Sequence, residues 1–535
     1  MFPKQEHNMS FHVDASDHGA SPGNTPEQNL VALKAAVLAT LQGGTLHING
    51  HYVVATPGLL DAIVIDKPMT VRIDGSLTAT SGAFQPNPPY IFKVVADGVT
   101  FRGAGALIGD GALNAANLDE GDRIQMPGLL YVEGDNFELE GVTIDSPPKV
   151  GIYLVGCRRA KIAGRFIGGP TTHTNGETAY FAIRMSGGGD HLIESDFGEV
   201  GSDARYVTAI RTFGLAAANR VTVRNCFAKV HEKLFYGHGE EHLVADNVII
   251  GSKTDAIRIN GSRNRVLRNR IWGGKGAVSV YDGSDNDISF NNAYNLTQTG
   301  IYFGVSQVGD HSSSKVIGNH LAGTGNALAD GIMFDLKGAD CTDLEVKDNL
   351  VVNFASAEVD PVEEQGLIRI RVLSPHSVRR AVVAGNNLRN TLQNGVVLNR
   401  VIDSLVSHNK GSDISKHFLV EDGGAYNRWL DNSATEVGTI GVAGLSSASD
   451  TAGNMYTRQP LTAEASCAAG LTTHVNHGGI APNAQIFLKA TTADFATLMA
   501  GRWPLATVSG TGFNVALGTG TPAAGVERFA YHIVQ

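Results

Sequence analysis

Two series of side chains carry the chemistry of this sequence. One runs Arg184, Arg211, Tyr236, Arg258, Ser279, Tyr302, Met333 and Arg369. The other lies two residues further along each segment and runs Ser186, Phe213, His238, Asn260, Tyr281, Gly304, Asp335, Arg371, Asn399 and Glu421. A guanidinium gives forked donors for carboxylates and hydroxyls, and an aromatic ring offers flat apolar area to a sugar face. Arg184, Arg211, Tyr236, His238, Arg258, Tyr281, Tyr302 and Arg369 are therefore the candidate substrate-binding residues. Arginines this close in successive repeats repel one another, so an anionic ligand between them is the expectation.

Carboxylates accompany the series: Glu232, Glu240, Glu241, Asp255, Asp282, Asp330 and Asp335. Hydrolysis of a glycosidic bond needs two carboxyl groups, about 5 Å apart for retention and about 6.5–9.5 Å apart for inversion. Asp255, Asp282, Asp335 and Glu240 are the candidate catalytic residues, with Asp282 and Asp335 two repeats apart but one column out of line. Acidic residues at turns also cap backbone groups. Elimination from a uronic acid polymer is the other route. It needs a base and nearby cations to stabilise the enolate, and Tyr236, His238, Arg211 and Arg258 stand on adjacent repeats. The run His238-Gly239-Glu240-Glu241-His242 is not the helical zinc motif, because no Glu directly follows the first His. Gly103-Ala104-Gly105 with Gly109 lacks the helix that a nucleotide loop requires. Neither a metal nor a cofactor is expected.

What must position these residues is a repeat. Asparagine recurs behind a short apolar run at Asn225, Asn247, Asn269, Asn291, Asn319, Asn349, Asn386, Asn409 and Asn432. Such a unit cannot bury its apolar face alone and has to stack on copies of itself. One strand of each unit carries inward apolar residues at Leu130, Ile152, Ile183, Ile210, Phe235, Ile257, Val278, Ile301, Ile332, Ile368, Val396 and Phe418. A second inward column follows two places later, with Thr212 and Gly237 as exceptions. Strand side chains alternate faces, so the residues between and after these columns point outward. The pattern predicts an all-β right-handed parallel β-helix with the asparagines as an internal amide ladder. Carboxylates two coils apart in one column would then lie about 9–10 Å apart. Extra length between Ile152 and Ile183, between Ile301 and Ile332 and between Ile332 and Ile368 predicts loops walling a groove.

The remaining segments divide the chain into an arm (1–10), a cap with first strands (11–93), the β-helix (94–436), a Gly/Ala/Ser/Thr-rich linker (437–460) and a small antiparallel β-sandwich (461–535). Thr25-Pro26-Glu27-Gln28 reads as a helix start with a capping box, and Gly43-Gly44 as its end. A formal net charge of -10 argues against general nucleic-acid binding. The opening MFPKQEHNMS has no signal-peptide pattern, and no run is long enough to span a bilayer. Cys157, Cys226, Cys341 and Cys467 lie too far apart for metal-ligand spacing.

Asp17-His18-Gly19-Ala20, then Gln28 to Ala36, Gly43-Gly44-Thr45-Leu46, Gly50 and Tyr52 resemble the opening of pectate-lyase-like β-helix proteins, a group that includes phage tailspike depolymerases. Where the family has an acidic pair before its helix, this chain has Thr25-Pro26-Glu27. His477-Gly478-Gly479, Gly510 to Val515 and Phe529 to Ile533 are similar to small C-terminal β-domains of phage tail fibres and tailspikes. The resemblance implies a homotrimeric virion tail protein that binds and cleaves a bacterial surface polysaccharide. Its short arm would dock to a tail adaptor. The resemblance is at the level of fold and carries no catalytic residues over. A bacterial β-helix glycan lyase or hydrolase without a virion role and a non-catalytic receptor-binding spike are the rival readings.

Overall fold

A computed structural model of the chain describes residues 10–56, 59–80, 90–109, 127–168, 180–198, 207–213, 217–229, 232–304, 309–325, 329–354 and 365–456, together with six strands beyond them. Two compact units, Met1–His320 and Leu321–Gln535, make up the chain. Both contain coils of a right-handed parallel β-helix. The coil centred on Arg258 shows the plan: a first strand Asp255–Asn260, a second Arg265–Leu267 and a third Arg270–Gly274. Each pairs in parallel with its counterpart in the next coil, Gly276–Tyr281, Asp287–Ser289 and Asn292–Leu296. The third strand escapes sequence reading because its three-residue core centres on one inward apolar residue, such as Ile249, Ile271 or Ala293. One such residue makes no alternation.

The inward columns of the first strand are as expected in the first unit. Leu130, Ile152, Ile183, Ile210, Phe235, Ile257, Val278 and Ile301 are all buried, and each pairs with the next. The two exceptions have local causes. A Cβ on Gly237 would come within 2.3 Å of the Phe235 ring, so only glycine leaves room for it. Thr212 uses its hydroxyl instead of apolar bulk. Its Oγ1 donates to the carbonyl of His238 and accepts from the His238 N–H, both at 2.6 Å.

Between the second and third strands runs the amide ladder. Asn269 Nδ2 donates to Asn291 Oδ1 at 2.9 Å and to the Val244 carbonyl at 2.9 Å, while the Asn269 N–H also donates to Asn291 Oδ1 at 3.0 Å. Asn247, Asn291 and Asn319 repeat the pattern, all buried. In the second unit Asn349, Asn386, Asn409 and Asn432 form a column of the same kind, which continues to Asn454. The residue before each rung is left-handed, for example Asp246 at φ 57°, Arg268 at 53° and Phe290 at 58°. Asn225 is one of these left-handed residues, not a rung. It is exposed, and buried Cys226 takes the rung, its N–H donating to Asn247 Oδ1 at 2.9 Å.

A second ladder at the turn between first and second strands is built from mixed residues. The His242 N–H donates to Asn264 Oδ1 at 2.9 Å, the Asn264 N–H to Asn286 Oδ1 at 3.0 Å, and the Asn286 N–H to Ser314 Oγ at 3.3 Å. His242 Nδ1 accepts from the Val221 N–H at 3.3 Å, and His191 Nδ1 accepts from the Ala160 N–H at 3.2 Å. His242 Nε2 lies 3.0 Å from the His238 carbonyl, so the ring of one histidine holds the backbone of the other.

Three boundaries differ from expectation. Coils begin well before residue 94, since Thr40–Ile48 already pairs in parallel with Thr70–Ile73. The expected linker 437–460 carries another coil: Ser433–Ala443 pairs with Lys410–Asp422, and Asp450–Ala452 pairs with Arg428–Leu430. In the same unit the register slips by one. Leu419, not Phe418, stands opposite Val396, so Glu421 turns inward opposite Leu398 and is 1% exposed. Its carboxylate accepts from Trp429 Nε1 and Ser449 Oγ, both at 2.8 Å. Helix α1, Pro26–Ala39, has the expected capping box but ends before Gly43, because strand Thr40–Ile48 begins at once. The C-terminal strands make two three-stranded antiparallel sheets. One joins Thr462–Ser466, Arg528–Val534 and Gln485–Ala490; the other joins Thr472–Asn476, Gly512–Ala516 and Leu505–Ser509.

Two outcomes are expected. Asn269→Leu deletes a buried rung and strands the Asn247 amide and N–H, each orphan costing about 1–3 kcal/mol; thermal unfolding should show a fall of several degrees or more, and an unaltered Tm would show that the column does not hold the coils. Burial pushes the pKa of His191 and His242 down to about 4, against roughly 6.5 in the unfolded chain. The unfolded chain then binds the extra protons, so this stability is complete above about pH 6.5 and drains away as pH falls toward 4. His242→Asn, which installs the amide found in the next coil, should flatten that loss in a Tm-against-pH series.

Candidate functional site

The first strands of the first unit bring the predicted series into one file. Tyr153 stands opposite Arg184, Arg184 opposite Arg211, Arg211 opposite Tyr236, Tyr236 opposite Arg258, Arg258 opposite Ser279 and Ser279 opposite Tyr302. His238, Asn260, Tyr281 and Gly304 form the parallel file two residues on. Tyr131 also belongs to the first file. Tyr131 and Tyr153 obey the same spacing rule as the arginines, one place after inward Leu130 and Ile152, and extending the series backwards would have found them.

Among the described residues, aromatic rings separate the guanidinium groups. Arg184 Cζ lies 5.2 Å from the Tyr153 ring and 5.7 Å from Phe181. Arg211 Cζ lies 4.5 Å from Phe213 and 4.9 Å from Tyr236. Arg258 Cζ lies 4.9 Å from Tyr236 and 3.8 Å from Tyr281. The repulsion expected from the sequence is thus met within the chain, each ring face contributing on the order of 0.5–2 kcal/mol to its cation. Phe181 joins the stack from a third outward file, where it stands opposite Val150 and Thr208. The two inward columns gave no hint of that file. Arg184 is 3% exposed. It is enclosed by rings, which corrects its expected place on an open stripe.

His238 sits at the centre, its ring 4.9 Å from Tyr236 and 5.8 Å from Phe213. The Thr212 bracket fixes its backbone. Burial first, then the charges of Arg211 and Arg258, push its pKa down to about 4, so the imidazole is neutral around pH 7. His238 Nε2, Arg258 Nε and Asn260 Oδ1 are buried and have no hydrogen-bond partner among the described residues. Buried polar atoms left so in native proteins call for an explanation, and a ligand is one. Burial raises the pKa of Tyr281 while Arg258 opposes it, so this hydroxyl stays protonated and able to donate.

Asp255 and Asp282 do not form a pair. Asp255 begins its strand opposite Gly276, while Asp282 follows Tyr281 at the far end of the next one. At about 3.3 Å per residue they stand about 20 Å apart, well outside the range for a hydrolytic pair. Glu240 lies off the face, in the turn beyond His238, where it is paired with Arg263. In the second unit Asp335 is held by Lys337 Nζ at 2.9 Å, with Arg371 Nε at 3.7 Å. Arg369 is 5% exposed and lies 3.4 Å from Asp330, which also accepts the Gly366 N–H at 2.7 Å. That pair is internal, which removes Arg369 from the open face. The expected wall at 170–175 lies outside the described residues.

Comparison with solved structures follows from this geometry. A double mutant of the tailspike protein of E. coli bacteriophage HK620, in complex with a pentasaccharide, superposes with a TM-score of 0.56 at 14% identity, over 98% of this chain and 93% of that one. A single mutant of the same tailspike, also in complex with a pentasaccharide, gives 0.55 at 13% identity over the same shares. The chain shares the tailspike β-helix fold. Tailspike protein 3 of bacteriophage CBA120 is similar over 83% of this chain and 61% of that one, at 9% identity with a TM-score of 0.42. Residues 172–358 match the family described as periplasmic copper-binding protein (NosD). No curated protein matches the sequence. Among the described residues no helix is long and apolar enough to cross a membrane.

Removing one neighbouring cation should release the imidazole. In Arg258→Ala the His238 pKa, followed by histidine-selective NMR, is expected to rise from about 4 toward the ordinary value; no movement would place Arg258 too far away to act on it.

Proposed function

We propose that this chain is a tailspike-like receptor-binding protein that binds a bacterial surface polysaccharide along the first-strand face of its first unit and cleaves it. The observation that carries the reading is the alternation of Arg211, Tyr236, Arg258, Tyr281 and Tyr302, with the unpartnered atoms of His238, Arg258 and Asn260 set among them. Rings of this kind stack on sugar faces, and guanidinium and amide groups set the orientation of hydroxyls or carboxylates. The fold likeness to a tailspike seen with a pentasaccharide supports the same substrate class. A homotrimer on the virion tail, with residues 1–10 docking to a tail adaptor, completes the proposal.

Hydrolysis is the reaction that the sequence favours. It requires Asp255, Asp282 or Asp335 to meet a second carboxyl group, and Asp255 and Asp282 stand too far apart to be that pair. Elimination is the second reading, favoured by one observation. Neutral His238 lies between Arg211 and Arg258, which depress its pKa. A neutral imidazole can take the proton beside a uronate carboxylate while the two guanidinium groups stabilise the enolate. Tyr236, whose ring lies 4.9 Å from the same imidazole, can hand a proton to the leaving oxygen.

Incubation with host surface glycans, followed by assays for reducing ends and for unsaturated uronate, separates the routes. New reducing ends with unsaturation support elimination, and new ends without it support hydrolysis. No new ends with binding retained would leave a non-catalytic receptor binder. Arg258→Ala should weaken glycan binding by at least about ten-fold, or about 1.4 kcal/mol, with thermal stability little changed. Lost stability with full binding would remove this face from the proposal.

A further inference from the structure

We propose that His12, Asp14 and His47 form a binding site for a divalent transition-metal ion of the zinc class, clipping the first strand onto the first coil. Ser10–Asp14 pairs in parallel with Thr40–Ile48, and Asp14 stands directly opposite His47. His12 lies two residues before Asp14, so strand alternation puts all three side chains on one side of the pair. His47 Nδ1 is 2.8 Å from Asp14 Oδ1, His12 Nε2 is 3.8 Å from the same oxygen, and the three ligand atoms lie within 4.8 Å of one another. Tetrahedral zinc with bonds of about 2.1 Å needs ligand atoms about 3.4 Å apart. His12 is 61% exposed, so its side chain has the freedom to close the remaining gap.

The support behind His47 has the form found at metal sites. Its Nε2 lies 3.0 Å from Asp74 Oδ2, and Arg72 Nε holds the same oxygen at 2.7 Å. An Nε2–H donated to Asp74 fixes the tautomer and turns the Nδ1 lone pair toward Asp14. A carboxylate behind a ligating histidine orients the ring and raises its basicity. Nδ1 of His47, the Asp14 carboxylate and Nε2 of His12 then converge as acceptors. A divalent cation placed among them would be met by all three atoms. Two imidazole nitrogens and one carboxylate oxygen match the donor preference of zinc and its neighbours, not that of calcium or magnesium. The bond would tie residues of the first strand to the coil with which it pairs.

Full-length tag-free protein, stripped with chelator and titrated with Zn2+ by calorimetry, tests the site. The chain has 18 histidines, so variants rather than total uptake decide. Wild type should show stoichiometric binding, with hydrogen-exchange protection of Ser10–Asp14 rising on addition of Zn2+. His12→Ala removes the exposed ligand, whose ring also packs 5.9 Å from that of His47, and should weaken binding by at least about ten-fold; Asp74→Asn should weaken it by about 10–100-fold. Wild type that takes up no Zn2+, or equal binding and equal protection in wild type and His12→Ala, would overturn the proposal and leave His47 as a hydrogen-bonded bridge between Asp14 and Asp74.

Discussion

Everything in this molecule depends on register between coils, and buried side-chain hydrogen bonds enforce that register. A parallel strand pair leaves sliding open, since its backbone bonds recur at every residue pair. The two ladders remove that freedom. Asn269 reaches its counterpart in the next coil and a carbonyl in the preceding one, so a slip of one residue would orphan several buried polar atoms together. The left-handed residue before each rung turns the chain sharply enough for the amide to face inward, and it does so even where the residue is Arg268 or Phe290. The strain of that conformation, about 1–2 kcal/mol per residue, is offset by the bonds it permits.

On that frame the outer face becomes a predictable object. Cations and rings alternate because strands four or five ångströms apart bring every file residue against its counterpart in the next coil. Arg211 between Phe213 and Tyr236, and Arg258 between Tyr236 and Tyr281, have their charges screened by π faces. The same crowding leaves His238 neutral and its Nε2 unpartnered. Structural and chemical demands are therefore met by the same side chains, and the Thr212 hydroxyl that breaks the inward apolar column is what sets the strand carrying His238.

The fold was legible because its signals are long-range repeats: the inward columns from Leu130 to Ile301 and the asparagines from Asn247 to Asn432 read directly. Misreadings came where one residue carried the decision. Asn225 has the right identity, but Cys226 has the right place. Phe418 and Val420 fit the apolar alternation, yet the strand slips by one and buries Glu421 against Trp429. The second ladder mixes His242, Asn264, Asn286 and Ser314, which share an acceptor and not a name. Of the site, the files of Arg211, Tyr236, His238, Arg258, Tyr281 and Tyr302 were readable from alternation. The carboxylates were not, because Asp255, Asp282 and Glu240 sit at strand ends and turns, where period-two counting stops. Phe181 was missed for the same reason.

The alternation of each first strand has one more consequence. Ile257 and Ile259 face the core while Arg258 and Asn260 face out, and neither ladder recruits a member of the outer files. Apart from His238, whose backbone is held by Thr212 and His242, exterior chemistry thus varies independently of interior architecture. Lineages of such a protein can exchange whole rows of outward side chains, acquiring a different molecular preference, without renegotiating how one winding rests upon another.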